Sequence, residues 1–205
     1  MTVPFPFVAI DFETTGSVAG YPVEPWQIGI AVFSPQEEPV LWESYLKIGD
    51  RPFHPRAPGR HAKIRHELSM APTLEECLPV LRSLCQQHPL LAHNVATEQK
   101  CLHDQLPMER WGPWLDSLKI CRSAWPGLPS HRLEDSLFKL ELLPDLHVIF
   151  PDREAHDALY DAYGSALILQ YLMSQKEWED VSLELLQNPD LSAWQKRRGW
   201  KGKDN

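Results

Sequence analysis

Asp11 and Glu13 stand two residues apart at the end of an apolar run, in Phe7-Val-Ala-Ile-Asp11-Phe12-Glu13-Thr14-Thr15-Gly16. In an extended strand successive side chains alternate, so the two carboxylates share one face while Phe12 takes the other. Two anions aimed together require a cation, unless they merely cap a solvated strand end. Thr14, Thr15 and Gly16 can turn the chain sharply, and Gly16 lets another segment approach closely. Two further groups carry the same chemistry. Leu90-Leu91-Ala92 is a short strand-like run ending in His93 and Asn94, with Glu98 in the helix that follows. Glu154-Ala155-His156-Asp157-Ala158-Leu159-Tyr160-Asp161 opens an apolar-periodic helix. Three separated acidic clusters can therefore converge on one metal site.

These residues resemble the DEDDh (DnaQ-like) 3′-to-5′ exonucleases, metal-dependent enzymes on a ribonuclease H-like fold. The family's Asp-x-Glu-Thr-Thr-Gly is matched by Asp11 to Gly16, and its His-x-Ala-x-x-Asp by His156, Ala158 and Asp161. Its His-Asn followed by an acid is matched by His93 and Asn94, with Glu98 where the family carries Asp. Weaker echoes are Trp26-Gln27-Ile28-Gly29-Ile30, Ala71-Pro72-Thr73-Leu74 and Asp116 at the end of Trp-Leu-Asp. The likeness spans roughly residues 5 to 173. The family's Ile-His-Gly-Ile-Thr-like turn is absent, because Ala62-Lys63-Ile64-Arg65 lies between His61 and His66.

The resemblance implies that Asp11, Glu13, Glu98 and Asp161 hold two Mg²⁺ or Mn²⁺ ions, for which carboxylates are suitable hard ligands. It assigns His156 as the general base, a role imidazole suits because it titrates near neutral pH. Thr14, Thr15, Gly16, His93 and Asn94 are the implied substrate-binding residues. The implied product is a nucleoside 5′-monophosphate from a free 3′ end. Glu98 is one methylene longer than Asp, so it either contacts an ion directly or shifts one.

Bland roles are available for neighbouring residues. Asp157 suits an N-terminal helix cap, and lying four residues before Asp161 it can also support that carboxylate. His93 and Asn94 can fix the strand-to-helix turn instead of touching substrate. His54, His61, His66, His88, His103, His131 and His147 show no mutual ligand spacing, with His131 set apart only because a capping-like Ser130 and a loop that faces the active site in the family pattern precede it. Cys77, Cys85, Cys101 and Cys121 form no C-x-x-C pair and lie in apolar-periodic segments, so buried reduced thiols are expected.

The elements that must position the site read as follows. Residues 5–12, 26–33 and 40–48 are strands rich in β-branched and aromatic residues, suited to an antiparallel meander. Residues 49–60 form a Pro-containing loop. Thr73-Leu-Glu-Glu76 is a capping box predicting a helix to about Gln87, after which strands and helices alternate. The expected fold is α/β, a ribonuclease H-like mixed β-sheet with helices on both faces. Residues 1–175 would form the exonuclease domain, and 176–205 a C-terminal helical extension and basic tail.

At 205 residues the chain suits one such domain. It has no run of about 18 apolar residues, so no membrane segment is expected. Met1-Thr-Val-Pro lacks a signal peptide's pattern, giving a cytoplasmic expectation. The net charge of −8 argues against gripping long nucleic acid, but not against holding a single-stranded 3′ end through metal ions. Lys196, Arg197, Arg198, Lys201 and Lys203 surround Trp200 in the tail, either as a solvated terminus or as a phosphate track with a stacking base platform. The reading is a metal-dependent 3′-to-5′ exonuclease acting on single-stranded DNA or RNA. Alternatives are a nucleic-acid-binding or accessory module with weakened catalysis, and a phosphodiesterase for small phosphate esters.

Overall fold

The structure, a computed structural model, describes residues 3–197 apart from 58, 62 and 179. Five strands make one sheet: β1 (Phe7–Thr14), β2 (Pro25–Phe33), β3 (Val40–Tyr45), β4 (Leu90–Ala92) and β5 (Trp114–Asp116). Their order is β3-β2-β1-β4-β5. β1, β2 and β3 form the expected antiparallel meander, while β4 and β5 add in parallel to β1. The mixed sheet follows from the connections: turns join the meander, whereas the chain passes from β3 to β4, beside β1, only after a long crossover carrying helices.

Alternation along β1 divides the core. Phe7 and Ala9 face one layer of apolar side chains, and Val8, Ile10 and Phe12 face another. Asp11 and Glu13 continue the first of these rows. On that side lie α4 (Ser117–Ala124), α5 (Leu133–Lys139), α6 (Leu143–Ile149) and the long α7 (Ala158–Ser174). On the other side α2 (Leu78–Cys85) and α3 (Ala96–Gln105) contribute Leu81, Cys85, Cys101 and Leu102. Helices on both faces are thus observed. The face that buries α7 is also the face that carries the two carboxylates.

α1 (Arg65–Met70) is a short helix beyond the Pro-containing loop. That loop is held by ring contacts: Phe53 stacks on His61 with centroids 4.2 Å apart, and His61 meets Trp26 edge-on at 6.0 Å. His61 therefore acts in packing. The predicted capping box forms, since Thr73 N–H donates to Glu76 Oε2 at 2.7 Å and Glu76 N–H to Thr73 Oγ1 at 3.2 Å. Regular helix nevertheless begins only at Leu78, with Pro79 in its first turn, where a missing N–H costs nothing.

All four cysteines are buried and free. Burial pushes the thiols of Cys85, Cys101 and Cys121 up to about 12, which keeps them protonated and unreactive. The segment expected as a C-terminal extension contributes α8 (Leu183–Gln187) and α9 (Leu191–Arg197). Trp178, Val181, Leu186 and Trp194 from it join the α7-side core, with the two indole rings 4.3 Å apart. The basic tail from Arg198 through Trp200 and Lys203 lies outside the described residues. Among the described residues no helix is long and apolar enough to cross a membrane.

Candidate active site

The site is assembled where the N-terminal end of α7 meets β1 and β2. Asp11 is paired across the ladder with Gly29, and Glu13 with Gln27. Gly29 is required by the packing. A Cβ there would lie 2.2 Å from the Leu159 backbone nitrogen and 2.3 Å from the Ala158 carbonyl carbon. The first turn of α7 therefore rests directly on β2 beside Asp11, bringing Asp161 and His156 over the strand-end carboxylates. Ligand atoms of Glu13, His156 and Asp161 all lie within 4.8 Å of one another. His156 Nδ1 stands 3.9 Å from Glu13 Oε1, and its backbone N–H donates to Asp161 Oδ2 at 2.9 Å.

His156 has φ of 69° and Asn94 has φ of 74°, both left-handed. Such backbone costs on the order of 1–3 kcal/mol for a non-glycine residue and persists where surrounding contacts impose it. At His156 the N–H to Asp161 supplies one such contact. The imidazole itself is half exposed, open to a substrate.

Glu98 reaches the centre from the opposite layer. It sits in the first turn of α3, is fully buried, and its carboxylate accepts from the backbone N–H groups of Phe12 and of Glu98 itself. Its Oε2 has no hydrogen-bond partner. Asp11 feels both sets of acids: among neighbouring charges Glu98 acts on it most, then Asp161 and Glu13.

The electrostatics are those of a crowded acid cluster. Burial, then the charges of Glu98, Asp161, Glu13 and Asp157, raises Asp11 well above the usual carboxylate range. Burial followed by Asp161, Asp157 and Glu98 pushes Glu13 to about 8. Burial also lifts Glu98 to about 8 against the two backbone donors. Asp161 rises to about 7, again chiefly through burial, opposed by the His156 N–H. An orphaned buried carboxylate oxygen among four carboxyls that repel one another's charge is what a divalent cation would satisfy. The residues present fit a hard, oxygen-seeking metal ion.

Asp157 is the N-cap of α7, as expected, accepting from Tyr160 N–H at 3.3 Å. It also receives Arg153 Nη1 at 2.7 Å, Arg60 Nη2 at 3.0 Å and Gln27 Nε2 at 3.4 Å. The two arginines tie the crossover loop and the segment before α7 to one buried carboxylate. Only the capping half of this role is legible in the sequence, since nothing in the local spacing marks Arg60 or Gln27 as its partners.

Of the expected substrate-binding residues, Thr14 and Gly16 line a cleft of about 360 Å³ against α3, together with Thr97 and Lys100. Thr15 is buried, and its Oγ1 accepts from Glu24 N–H at 3.0 Å, which fixes the turn. Gly16 has φ of 71°, and a Cβ there would fall 2.6 Å from His54 Cβ. Both ring nitrogens of His93 are engaged, Nδ1 with Ser117 Oγ at 2.9 Å and Nε2 with the His131 carbonyl at 2.8 Å. Burial lowers the His93 pKa, and since a carbonyl can only accept, Nε2 is the nitrogen that donates to His131. Asn94 N–H donates to Asp116 Oδ1 at 3.2 Å, and the same oxygen caps α4. His93 and Asn94 also line a second cleft of about 580 Å³ that reaches Asp161 and His156.

Sheet order, with three antiparallel strands extended by two parallel ones and α7 seated across the face, defines a ribonuclease H-like α/β domain. Residues 8–169 match the exonuclease family RNase_T, and the chain belongs to that family of DnaQ-like 3′-to-5′ exonucleases. The chain is 28% identical to exodeoxyribonuclease 10 of Escherichia coli (strain K12) over 140 residues, 66% of this chain and 56% of the relative. It thus spans little more than half the length of that relative. A structure of exonuclease X in complex with 5′ overhanging duplex DNA superposes with a TM-score of 0.61 at 25% identity, covering 88% of this chain and 96% of that one. The Mg²⁺- and Mn²⁺-bound form of Pop2p from S. pombe shares the fold, with a TM-score of 0.58 at 14% identity over 89% of this chain and 88% of that one.

Proposed function

We propose that this chain is a metal-dependent 3′-to-5′ exonuclease that releases nucleoside 5′-monophosphates from single-stranded 3′ ends. The observation that carries the reading is the convergence of Glu13, His156 and Asp161 within 4.8 Å, although His156 follows Glu13 by 143 residues in the sequence. Asp11, Glu13, Glu98 and Asp161 would hold two Mg²⁺ or Mn²⁺ ions, which supply charge to the scissile phosphate and ease ionisation of the attacking water. His156, exposed beside Glu13, takes the proton of that water, and the Asp161 carboxylate fixes its backbone. Thr14 and Gly16 present the small cleft against α3 to the terminal nucleotide, while Thr15 holds the turn. His93 and Asn94 fix the wall of the larger cleft beside Asp161. The DNA in the exonuclease X structure supports a nucleic acid substrate.

Single-stranded oligonucleotides labelled at either end, incubated with and without Mn²⁺, test the reading. A 3′ label should leave first as a mononucleotide, while a 5′ label should give a descending ladder that requires the metal. Binding without cleavage would favour the alternative of an accessory module. Turnover of small phosphate diesters alone would favour a phosphodiesterase of other substrates.

A further inference from the structure

Two clefts open beside His156. One, of about 580 Å³, includes Asp161 and is walled by α4 and the start of α5, with Arg122 and Arg132 facing it. The other runs between Gly59, Arg60 and Lys63 on one side and residues 151–157 on the other, and contains Arg153. Their cations differ in commitment. Arg60 pairs with Asp157 at 3.0 Å, and Arg153 pairs with Asp157 at 2.7 Å and also with Glu43. Among the described residues Arg122 and Arg132 are exposed and have no ion pair. Glu134 lies on the rim shared by both clefts, and burial disfavours a charge on the His93 ring beside Arg122. On a protein of net charge −8, two uncommitted guanidiniums next to an acidic centre are out of keeping with their surroundings. An anion entering this cleft would neutralise both.

We propose that Arg122 and Arg132 form a track for the backbone phosphates that lie 5′ to the scissile one, so that the retained strand leaves the centre between α4 and α5. This rests on the exonuclease reading and adds the path of the strand to it. Guanidiniums suit the role because their planar fork pairs with phosphate oxygens at two points without reading the base. The fixed wall of the cleft comes from His93, whose two ring hydrogen bonds lock the start of α4 to the loop at His131. Arg122, on α4, and Arg132, at the N-cap of α5, come from the two segments that this joint ties together, and both line the cleft that contains Asp161.

The test measures equilibrium binding of a 5′-labelled ten-nucleotide single strand to protein blocked by Asp11→Asn, with competition by an unlabelled dinucleotide, across a range of salt. Adding Arg122→Gln with Arg132→Gln should weaken the decamer about tenfold or more and leave the dinucleotide competition constant within about twofold. The salt dependence of log affinity should flatten by about 1.4, two phosphates at roughly 0.7 each for a single strand. Lys63→Gln, in the other cleft, should leave both ligands unchanged. Unchanged decamer affinity in the arginine variant, an equal loss on both lengths, or a length-dependent loss in Lys63→Gln would each overturn the track. Turnover of the same decamer by the unmutated protein is read separately. A protein that binds with this length dependence but does not cut would keep the track and overturn the proposed hydrolysis.

Discussion

Gly29 lies directly across the β1–β2 ladder from Asp11, and its missing side chain is where the backbone of Leu159 comes to rest. A carboxylate and a glycine opposite one another on the same face thus form one device: the glycine admits the first helical turn that carries Asp161 to the carboxylate. The spacing between the first and third acidic clusters is set by backbone contact. No flexible side chain is available there to absorb an error.

Gly29→Ala should therefore cost activity out of proportion to its size. The added methyl would meet backbone at 2.2 Å, so α7 must shift. Overpacking of this kind costs about 1–3 kcal/mol, and a misplacement of about 1 Å costs roughly a hundredfold in rate. Gly127→Ala, with nothing within 4 Å of the new Cβ, should change stability by less than about 0.5 kcal/mol. Thermal melts and turnover of both variants check this, and equal behaviour of the two would sink the argument.

Asp157 accepts from two arginines, a glutamine and the first turn of α7. Asp157→Ala removes the cap and leaves Arg153 with Glu43 as its remaining partner, while Arg60, half exposed, can turn to water. A loss of about 2–3 kcal/mol is expected from the cap and the partly buried pair together. Asp157→Asn keeps the cap and should recover about half of that. The measurement is the urea midpoint at constant slope, and an unchanged midpoint in Asp157→Ala would show that the arginines find other partners.

Much of this arrangement can be read from the chain itself. The two-residue spacing of Asp11 and Glu13 fixes their common face, and the meander, the capping box and the N-cap at Asp157 follow from local patterns. Contacts that join residues far apart in sequence carry no such signature. Gly29 reads as a strand glycine until α7 is laid on it, and Arg60 and Gln27 show no relation to Asp157. His93 looks like a ligand by type, yet both its nitrogens are used by the α4–α5 wall. Helix onset at Leu78 instead of Thr73 reflects a turn that satisfies the capping box before regular hydrogen bonding starts.

Stability without metal should fall as pH rises. Unfolded carboxyls titrate near 4. In the folded protein Asp161 titrates at about 7 and Glu13 and Glu98 at about 8, all raised by burial. A carboxyl that holds its proton more tightly when folded contributes stability that is fully present below about pH 4 and is lost as pH climbs through the folded value. The melting temperature in chelator should therefore decline between about pH 4 and pH 8, and saturating Mn²⁺ should flatten the decline at its upper end. Glu13→Gln should reduce the slope. A metal-free melting temperature that stays level over this range in the parent protein would contradict the crowded-cluster account.

Glu98 offers the sharpest test of the centre. Its carboxylate accepts from the backbone N–H of Phe12 on β1, its Oε2 has no partner, and its charge acts on Asp11. α3 is seated by Cys101 and Leu102 in the layer below. Glu98→Asp would withdraw the carboxylate by one methylene, give up the Phe12 hydrogen bond and leave the freed oxygen short of the place where a cation is expected. Activity should fall by about tenfold to a hundredfold, in line with the cost of ångström-scale misplacement. Glu98→Gln keeps the reach but not the charge. It should raise the metal-free melting temperature near pH 8, by relieving repulsion on Asp11, and reduce the stabilisation gained from Mn²⁺. Turnover of a single-stranded oligonucleotide and melts with and without Mn²⁺ separate the two effects. A tenfold gain in rate for Glu98→Asp, about 1.4 kcal/mol of transition-state stabilisation, would mean that the longer side chain is a damaged ligand and that the bond to Phe12 holds it away from the metal.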